Sequence, residues 1–146
     1  MYCQVRTPDT TAIMSNNITY KINVPLKTQN IIDVFDSSGI VRPTKDPKRI
    51  KKMFANSNLT VSAWDKKKLV GISRSVTDFS FCCYLSDLAV RKEYQKLGIG
   101  KELIRITKDN IGESVMLLLL SAAPARDYYP KVGFEKVENG FIIKRK

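Results

Sequence analysis

The sequence predicts an α/β fold: a mixed, mainly antiparallel sheet with a central parallel strand pair and flanking helices. Three observations predict it. Residues 59 to 90 hold three consecutive strand patterns, the first two joined by the polar turn Asp65-Lys66-Lys67-Lys68, which reads as an antiparallel meander. The stretch Leu85 to Ile104, LSDLAVRKEYQKLGIGKELI, passes from an apolar strand through a charged connection into helical periodicity. Val115 to Leu120 is an unbroken apolar run, the pattern of a central strand covered on both faces, and the helix before it supplies the crossover that makes it parallel to its neighbour.

Taken in order, residues 1 to 16 show no periodicity and are expected to be an extension, with Met14 an alternative start, ahead of a single domain over residues 17–146. Ile18 to Val24 alternates apolar and polar residues, as a half-buried strand does. Thr28 is placed to cap a helix whose Ile31, Ile32 and Phe35 share one face and which ends near Gly39. Asp46-Pro47 starts a second helix, with Ile50, Met53 and Phe54 at core spacing and Lys48, Lys51 and Lys52 on the other side. Leu59 to Trp64, Leu69 to Thr77 and Phe79 to Val90 form the meander. Leu103, Ile104 and Ile111 turn the next helix toward the sheet before Gly112 ends it. Pro124 to Lys131 is expected to be a short helix stopped by Gly133, and Phe134 to Val137 pairs with Phe141 to Lys144 across Asn139-Gly140.

With 146 residues, 43% hydrophobic and 27% charged, the chain can bury a core without metals or disulfides. Its net charge of +11 suits an anionic ligand and would equally draw nucleic acid or an anionic membrane. The basic cluster of Arg42, Lys45, Arg49 and the lysines of the second helix lacks the interleaved aromatics of a single-strand stacking platform, so it reads as solvated surface. Cys82 and Cys83, adjacent in a strand, point to opposite faces, and both read as small buried residues rather than nucleophiles; Cys3 is the third cysteine. No signal segment opens the sequence and no apolar run reaches the roughly 20 residues of a membrane span, so the expected location is a reducing cytoplasm. The absence of histidine excludes Ser-His and Cys-His hydrolases, and no metal is expected.

The chemistry is concentrated at the start of the helix that follows Val90. Gly98 and Gly100 keep Cβ atoms away from backbone amides that can close on an oxyanion, and Gln95, Lys96 and Lys101 add polar and cationic side chains. A dinucleotide fingerprint fails because Leu103 stands where its third glycine belongs, and a nucleoside-triphosphate loop fails because Glu102, not Ser or Thr, follows Lys101.

Leu88, Val90, Arg91, Gln95, Gly98 and Gly100 together resemble the cofactor motif of the GCN5-related N-acetyltransferases: an apolar strand end, an Arg, then Gln-x-x-Gly-x-Gly. The tail resembles the same family in Ala125, Tyr128, Tyr129, Gly133 and Phe134, and it departs at Ala122, where many relatives carry an Asn that bonds the cofactor. The likeness covers about residues 18 to 144. It implies direct transfer of an acetyl group from acetyl-CoA to a primary amine of a small molecule or peptide, with acetyl-CoA as cosubstrate. The backbone of Leu88, Ala89 and Val90 would pair with the pantetheine arm, and the pyrophosphate would rest on Gln95, Lys96, Leu97, Gly98, Ile99, Gly100 and Lys101.

Tyr129 matches the general acid of that family, a donor to the departing thiolate, and Tyr128 is assigned to core packing. An alkylamine of pKa ~10.4 needs help to lose its proton at neutral pH. Asp87, late in the strand, is the first candidate for that help, with Asp78 and Tyr84 as alternatives and a purely structural Asp87 left open. Arg42, with Pro43 between the first two helices, and Tyr84 are candidates for the acceptor site. No sequence-specific nucleic acid and no membrane are expected as partners, and a homodimer is left open. Two further readings compete: a non-catalytic module that senses CoA or a nucleotide, and a basic protein that binds RNA or ribosomes.

Overall fold

The computed structural model describes residues 17–146; the expectations for residues 1–16, including Met14 and Cys3, lie outside them. The chain runs β1 (Ile18–Ile22), α1 (Thr28–Ser38), α2 (Pro47–Ala55), β2 (Leu59–Asp65), β3 (Lys68–Thr77), β4 (Cys82–Val90), α3 (Ile99–Ile111) and β5 (Met116–Leu118), with short 3-10 turns at Lys92–Tyr94, Ala123–Ala125 and Tyr129–Val132. The five strands form one sheet in the order β1-β2-β3-β4-β5. Its first four strands are antiparallel neighbours and β4-β5 is parallel, the mixed arrangement the sequence predicts.

Successive strand residues point to opposite faces, and the core divides accordingly. Ala89 packs with Ile31, Phe35 and Ile50 of α1 and α2, while its neighbour Val90 packs with Ile99 and Leu103 of α3. Gly71 lets α3 lie close to the sheet, because a Cβ there would stand 3.2 Å from both the Ile99 and Leu103 side chains. A buried polar tie crosses the same interface: the Ser73 and Thr107 hydroxyls are 2.9 Å apart, and Thr107 Oγ1 donates to the Leu103 carbonyl at 2.8 Å.

Asp46 caps α2 as expected, its carboxylate accepting the Arg49 backbone N–H at 3.0 Å. Thr28 does not cap α1. The Lys27 carbonyl already accepts from the Ile31 N–H at 3.2 Å, so Thr28 is the first helical residue and its side chain lies past the capping position. Cys83 is buried, but Cys82 faces solvent, a correction to the expectation of two buried thiols.

The other corrections lie after α3. The parallel strand β5 is an edge strand of three residues, with Met116 55% and Leu118 36% exposed, and it has β4 as its single neighbour. The expected short helix at 124–131 is replaced by two 3-10 turns, in which Tyr128 N–H bonds the Ala125 carbonyl and Lys131 N–H the Tyr128 carbonyl, both at 3.1 Å. Pro130 has no N–H for an α-helical bond and its ring crowds the carbonyl four residues back, so the segment tightens instead. Phe134–Val137 and Phe141–Lys144 do not pair, and Phe141 and Ile143 are almost wholly exposed. A two-stranded hairpin is marginal without an apolar face to pack on, and β5, ending at Leu118, supplies too short a ladder to extend.

Candidate functional site

The site begins with one extra residue in a strand. Arg74 pairs with Asp87 and Ser75 with Leu85, so Ser86 is left over as a bulge in β4. Bulges bend the strand that carries them and re-aim its side chains. On its other side, β4 keeps β5 as a partner up to Tyr84, opposite Leu118, and no farther. Beyond that point β4 continues along β3 to Val90, while the chain leaving β5 diverges through Leu119 to Ala122. A cavity of ≈ 950 Å³ occupies the resulting wedge.

Seven of the candidate site residues line that cavity, Arg42, Tyr84, Leu88, Ala89, Val90, Gln95 and Tyr129, whereas Asp87 and residues 96–101 do not. The β4 edge from Ser86 onward has no strand partner, which leaves backbone groups able to accept an extended ligand as an added strand.

The start of α3 supplies the second feature. Gly98 is the N-cap residue with φ +80°, a left-handed conformation that favours glycine, and no side chain caps the helix. The first helical bond runs from the Glu102 N–H to the Gly98 carbonyl at 3.0 Å, so the amides of Ile99, Gly100 and Lys101 precede the ladder. Those donors suit an oxyanion. The side chains of this stretch do different things. Ile99 is buried in the core and offers its backbone alone, whereas Lys96 and Lys101 are exposed. Gln95 is exposed too, but its Nε2 donates to the Val90 carbonyl at 2.9 Å and to the Ser38 carbonyl at 3.4 Å, and so ties the loop to the end of β4.

The third feature is a charged triad across the bulge. Asp87 is 0% exposed, and its two oxygens accept from Arg42 Nε and Arg74 Nε. Arg74 also donates to the Ser57 and Ser86 hydroxyls, each at 2.9 Å, and lies over the Phe54 ring. Arg42 donates to the Ser86 carbonyl at 2.8 Å and the Val41 carbonyl at 2.7 Å. Asp87 therefore lies behind the cleft wall with both oxygens engaged, and Arg42 stands in front of it.

Tyr129 faces the cleft, wedged edge-on between the Tyr128 and Phe134 rings at centroid distances of 5.4 and 5.5 Å. Burial pushes its phenol above the ordinary tyrosine value, Tyr128 adds to the rise and the Arg42 guanidinium opposes it. Tyr128, assigned to the core by its sequence position, is 37% exposed, and its hydroxyl stands 3.0 Å from where a Cβ on Gly100 would be. The 3-10 geometry accounts for the difference, since successive residues of that tighter turn no longer fall on the faces an α-helix would give them.

Asp78 is remote from this chemistry. Its Oδ1 accepts the backbone N–H groups of Ser80, Phe81 and Cys82 at 2.9, 2.8 and 3.0 Å, closing the β3–β4 turn. Both described cysteines have raised pKa values: desolvation is the main cause at each, with the Asp78 carboxylate adding to it at Cys82. Neither lines the cleft. Among the described residues, no group of three or more Cys, Asp or Glu is arranged to hold a metal ion, and no helix is long and apolar enough to cross a membrane.

Sequence reasoning missed Arg74, Ser86 and Arg145 as cleft residues and assigned Arg49 to solvated surface. Arg74 had a signal, a charged residue inside an otherwise small or apolar strand. Arg145 had none.

The family model for the acetyltransferase (GNAT) domain matches residues 29–144. The chain belongs to the GNAT acetyltransferase family. An uncharacterized N-acetyltransferase, ycf52, of Pyropia yezoensis is 31% identical over 111 residues, a match covering 72% of this chain and 63% of that protein. The chain thus spans under two thirds of that relative's length. Among solved structures, the Staphylococcus aureus protein SA2161, described as a probable acetyltransferase of unknown function, aligns with a TM-score of 0.74 at 26% identity over 88% of this chain and 99% of its own. An aminoglycoside N-acetyltransferase, AAC(6')-Iy, solved in complex with CoA, aligns with a TM-score of 0.67 at 11% identity over 88% and 95% of the two chains, which speaks for the shared GNAT fold.

Proposed function

We propose that this GNAT acyltransferase takes its acyl group from acetyl-CoA and transfers it directly to a primary amine of a small molecule or peptide. The observation that carries the proposal is a single cleft bordered by the unpaired edge of β4, by Gln95 of the loop that leads into the uncapped α3, and by Tyr129. The residues present suit the donor. Backbone amides of Ile99, Gly100 and Lys101 are free of a side-chain cap for a pyrophosphate, and Lys96 and Lys101 add charge beside them. Leu88 and Val90 turn backbone groups to the free edge for the pantetheine arm, as an added strand would require, with the Val90 carbonyl shared with Gln95, while Ala89 turns its own to β3.

Acetyl-CoA, when bound, supplies a thioester whose C–S bond breaks as the acceptor's N–C bond forms. Tyr129 is positioned as the hydrogen-bond donor, and then proton donor, to sulfur. A phenol is protonated at neutral pH already at its ordinary value, and burial, by raising Tyr129 further, makes it a hydrogen-bond donor to sulfur before it is an acid. Asp87 acts through Arg42 and Arg74 rather than as the base, because both its oxygens already accept from guanidinium groups. The amine proton leaves to water, and water returns a proton to the Tyr129 phenolate once sulfur has taken its own. We place the enzyme in a reducing compartment such as the cytoplasm, in keeping with the exposed free thiol of Cys82.

The test is release of thiol from acetyl-CoA in the presence of amines. Acceptor-dependent release that falls in Tyr129→Phe supports the transferase reading; tight CoA binding with no acceptor-dependent release would leave a sensing module instead.

A further inference from the structure

We infer that the acceptor is an amine that also carries an oxyanion, a carboxylate or phosphate, and that it is not a polycation. The inference rests on the transferase reading above and adds the substrate class. Four arginines, Arg42, Arg49, Arg74 and Arg145, line the cleft, and no Asp or Glu does. Two of them share the one buried carboxylate behind the wall, Asp87, so the pair keeps excess positive charge after that contact. Arg49 and Arg145 make no side-chain hydrogen bond or ion pair with any described residue.

This charge is separate from the proposed pyrophosphate site. Arg42 and Arg74 attach at Ser86 and Asp87, whereas the loop that presents amides begins beyond Val90; three to four strand residues span roughly 10 to 13 Å. The exposed guanidinium forks of Arg49 and Arg145 can take carboxylate or phosphate oxygens in pairs, while Arg42 and Arg74, whose forks are occupied, add positive charge at the wall. The same field has a catalytic consequence. Fixed cations beside an ammonium disfavour its charged form and so favour the neutral amine that reacts. A polyamine or aminoglycoside, carrying several ammonium groups into a cleft without carboxylates, meets repulsion with nothing to offset it.

The experiment uses the full chain and matched acceptors with acetyl-CoA: glutamate against glutamine amide, phosphoethanolamine against ethanolamine, and spermidine and kanamycin as polycations. The oxyanion-bearing member of at least one pair should have a kcat/KM about tenfold higher or more, and the advantage should shrink with salt. Arg49→Glu should erase much of that advantage. The substitution is compatible with the fold, since Arg49 is exposed, its backbone bond to Asp46 is kept, and an acid suits the first turn of α2. Equal rates within both pairs, or a preference for spermidine or kanamycin, overturns the inference. If no acceptor releases thiol, the transferase reading fails for these amines and binding decides the inference alone. With the protein saturated in CoA, calorimetric binding of the acid but not its amide, weakened by Arg49→Glu, upholds it, and no difference within the pairs overturns it.

Discussion

Asp87 stands directly across the β3–β4 ladder from Arg74, and their side chains pair beside the Ser86 bulge while Arg42 takes the other carboxylate oxygen. One buried anion thus fixes two guanidinium groups at the wall of the cleft. Asp87→Ala should cost about 3–5 kcal/mol of stability, because it leaves Arg74 buried without a counterion. Asp87→Asn should cost less, keeping one acceptor oxygen. Urea midpoints with unchanged m-values check both. An Asn variant of wild-type stability but without turnover would return Asp87 to the role of base.

The glycines should separate by mechanism. Gly71→Ala should lose about 1–3 kcal/mol by pressing on the buried Ile99 and Leu103 side chains, each 3.2 Å from the new Cβ. Gly98→Ala has open space around its new Cβ but needs a left-handed residue there, so about 1 kcal/mol should be lost through backbone strain. Gly100→Asp meets mainly the end of the Tyr128 side chain, so it should fold. It should weaken CoA binding sharply by adding a like charge at the uncapped amides. Calorimetry showing wild-type CoA affinity in a folded Gly100→Asp would move the phosphate site elsewhere.

The parts of the fold legible in the sequence are those set by local periodicity. The alternation in β1 to β4, the Asp46 cap and the apolar stripe of α3 each have a cause within a few residues. The residues after α3 are less legible, because their state depends on partners. Val115 to Leu120 is apolar enough for a central strand, yet β5 has one neighbour; Asn139-Gly140 is a good hairpin turn, yet no ladder forms around it. The loop at Gln95 to Lys101 carried its own signal. The basic cleft did so only in part: Arg42 and Arg49 belong to one basic cluster, but Arg74 and Arg145 join them from two distant segments with no shared spacing. Asp87 stands out in the sequence by its position in the strand, but its partners follow only from the register that sets it opposite Arg74.

Acid should loosen the β3–β4 turn. Amide N–H bonds from Phe81, Ser80 and Cys82 hold the Asp78 carboxyl down at about 2. A folded-state value below that of the unfolded chain means its contribution is present above pH ~4 and is lost as pH falls toward 2. Asp78→Asn should therefore flatten the acid side of the stability profile between those values. Melting temperatures of the two proteins across pH 2 to 5 check this, and parallel profiles would count against it.

Tyr129 carries the enzyme reading. If its hydroxyl donates to the departing sulfur, Tyr129→Phe keeps the ring between Tyr128 and Phe134 and removes the donor alone. Turnover should fall by about 10²-fold, the usual contribution of a positioned acid. CoA affinity should hardly change, because the proposed phosphate grip lies at the start of α3. Stability should hold as well: no described side chain or backbone group bonds the Tyr129 hydroxyl, so its removal orphans nothing among those residues. The rise in its pKa predicts that the proton donor persists well into alkaline pH, so loss of rate on the alkaline side should set in above the ordinary tyrosine value of about 10. Wild-type turnover in a folded Phe variant, measured with a productive acceptor while chemistry limits the rate, would pass the proton to water and leave Tyr129 as packing.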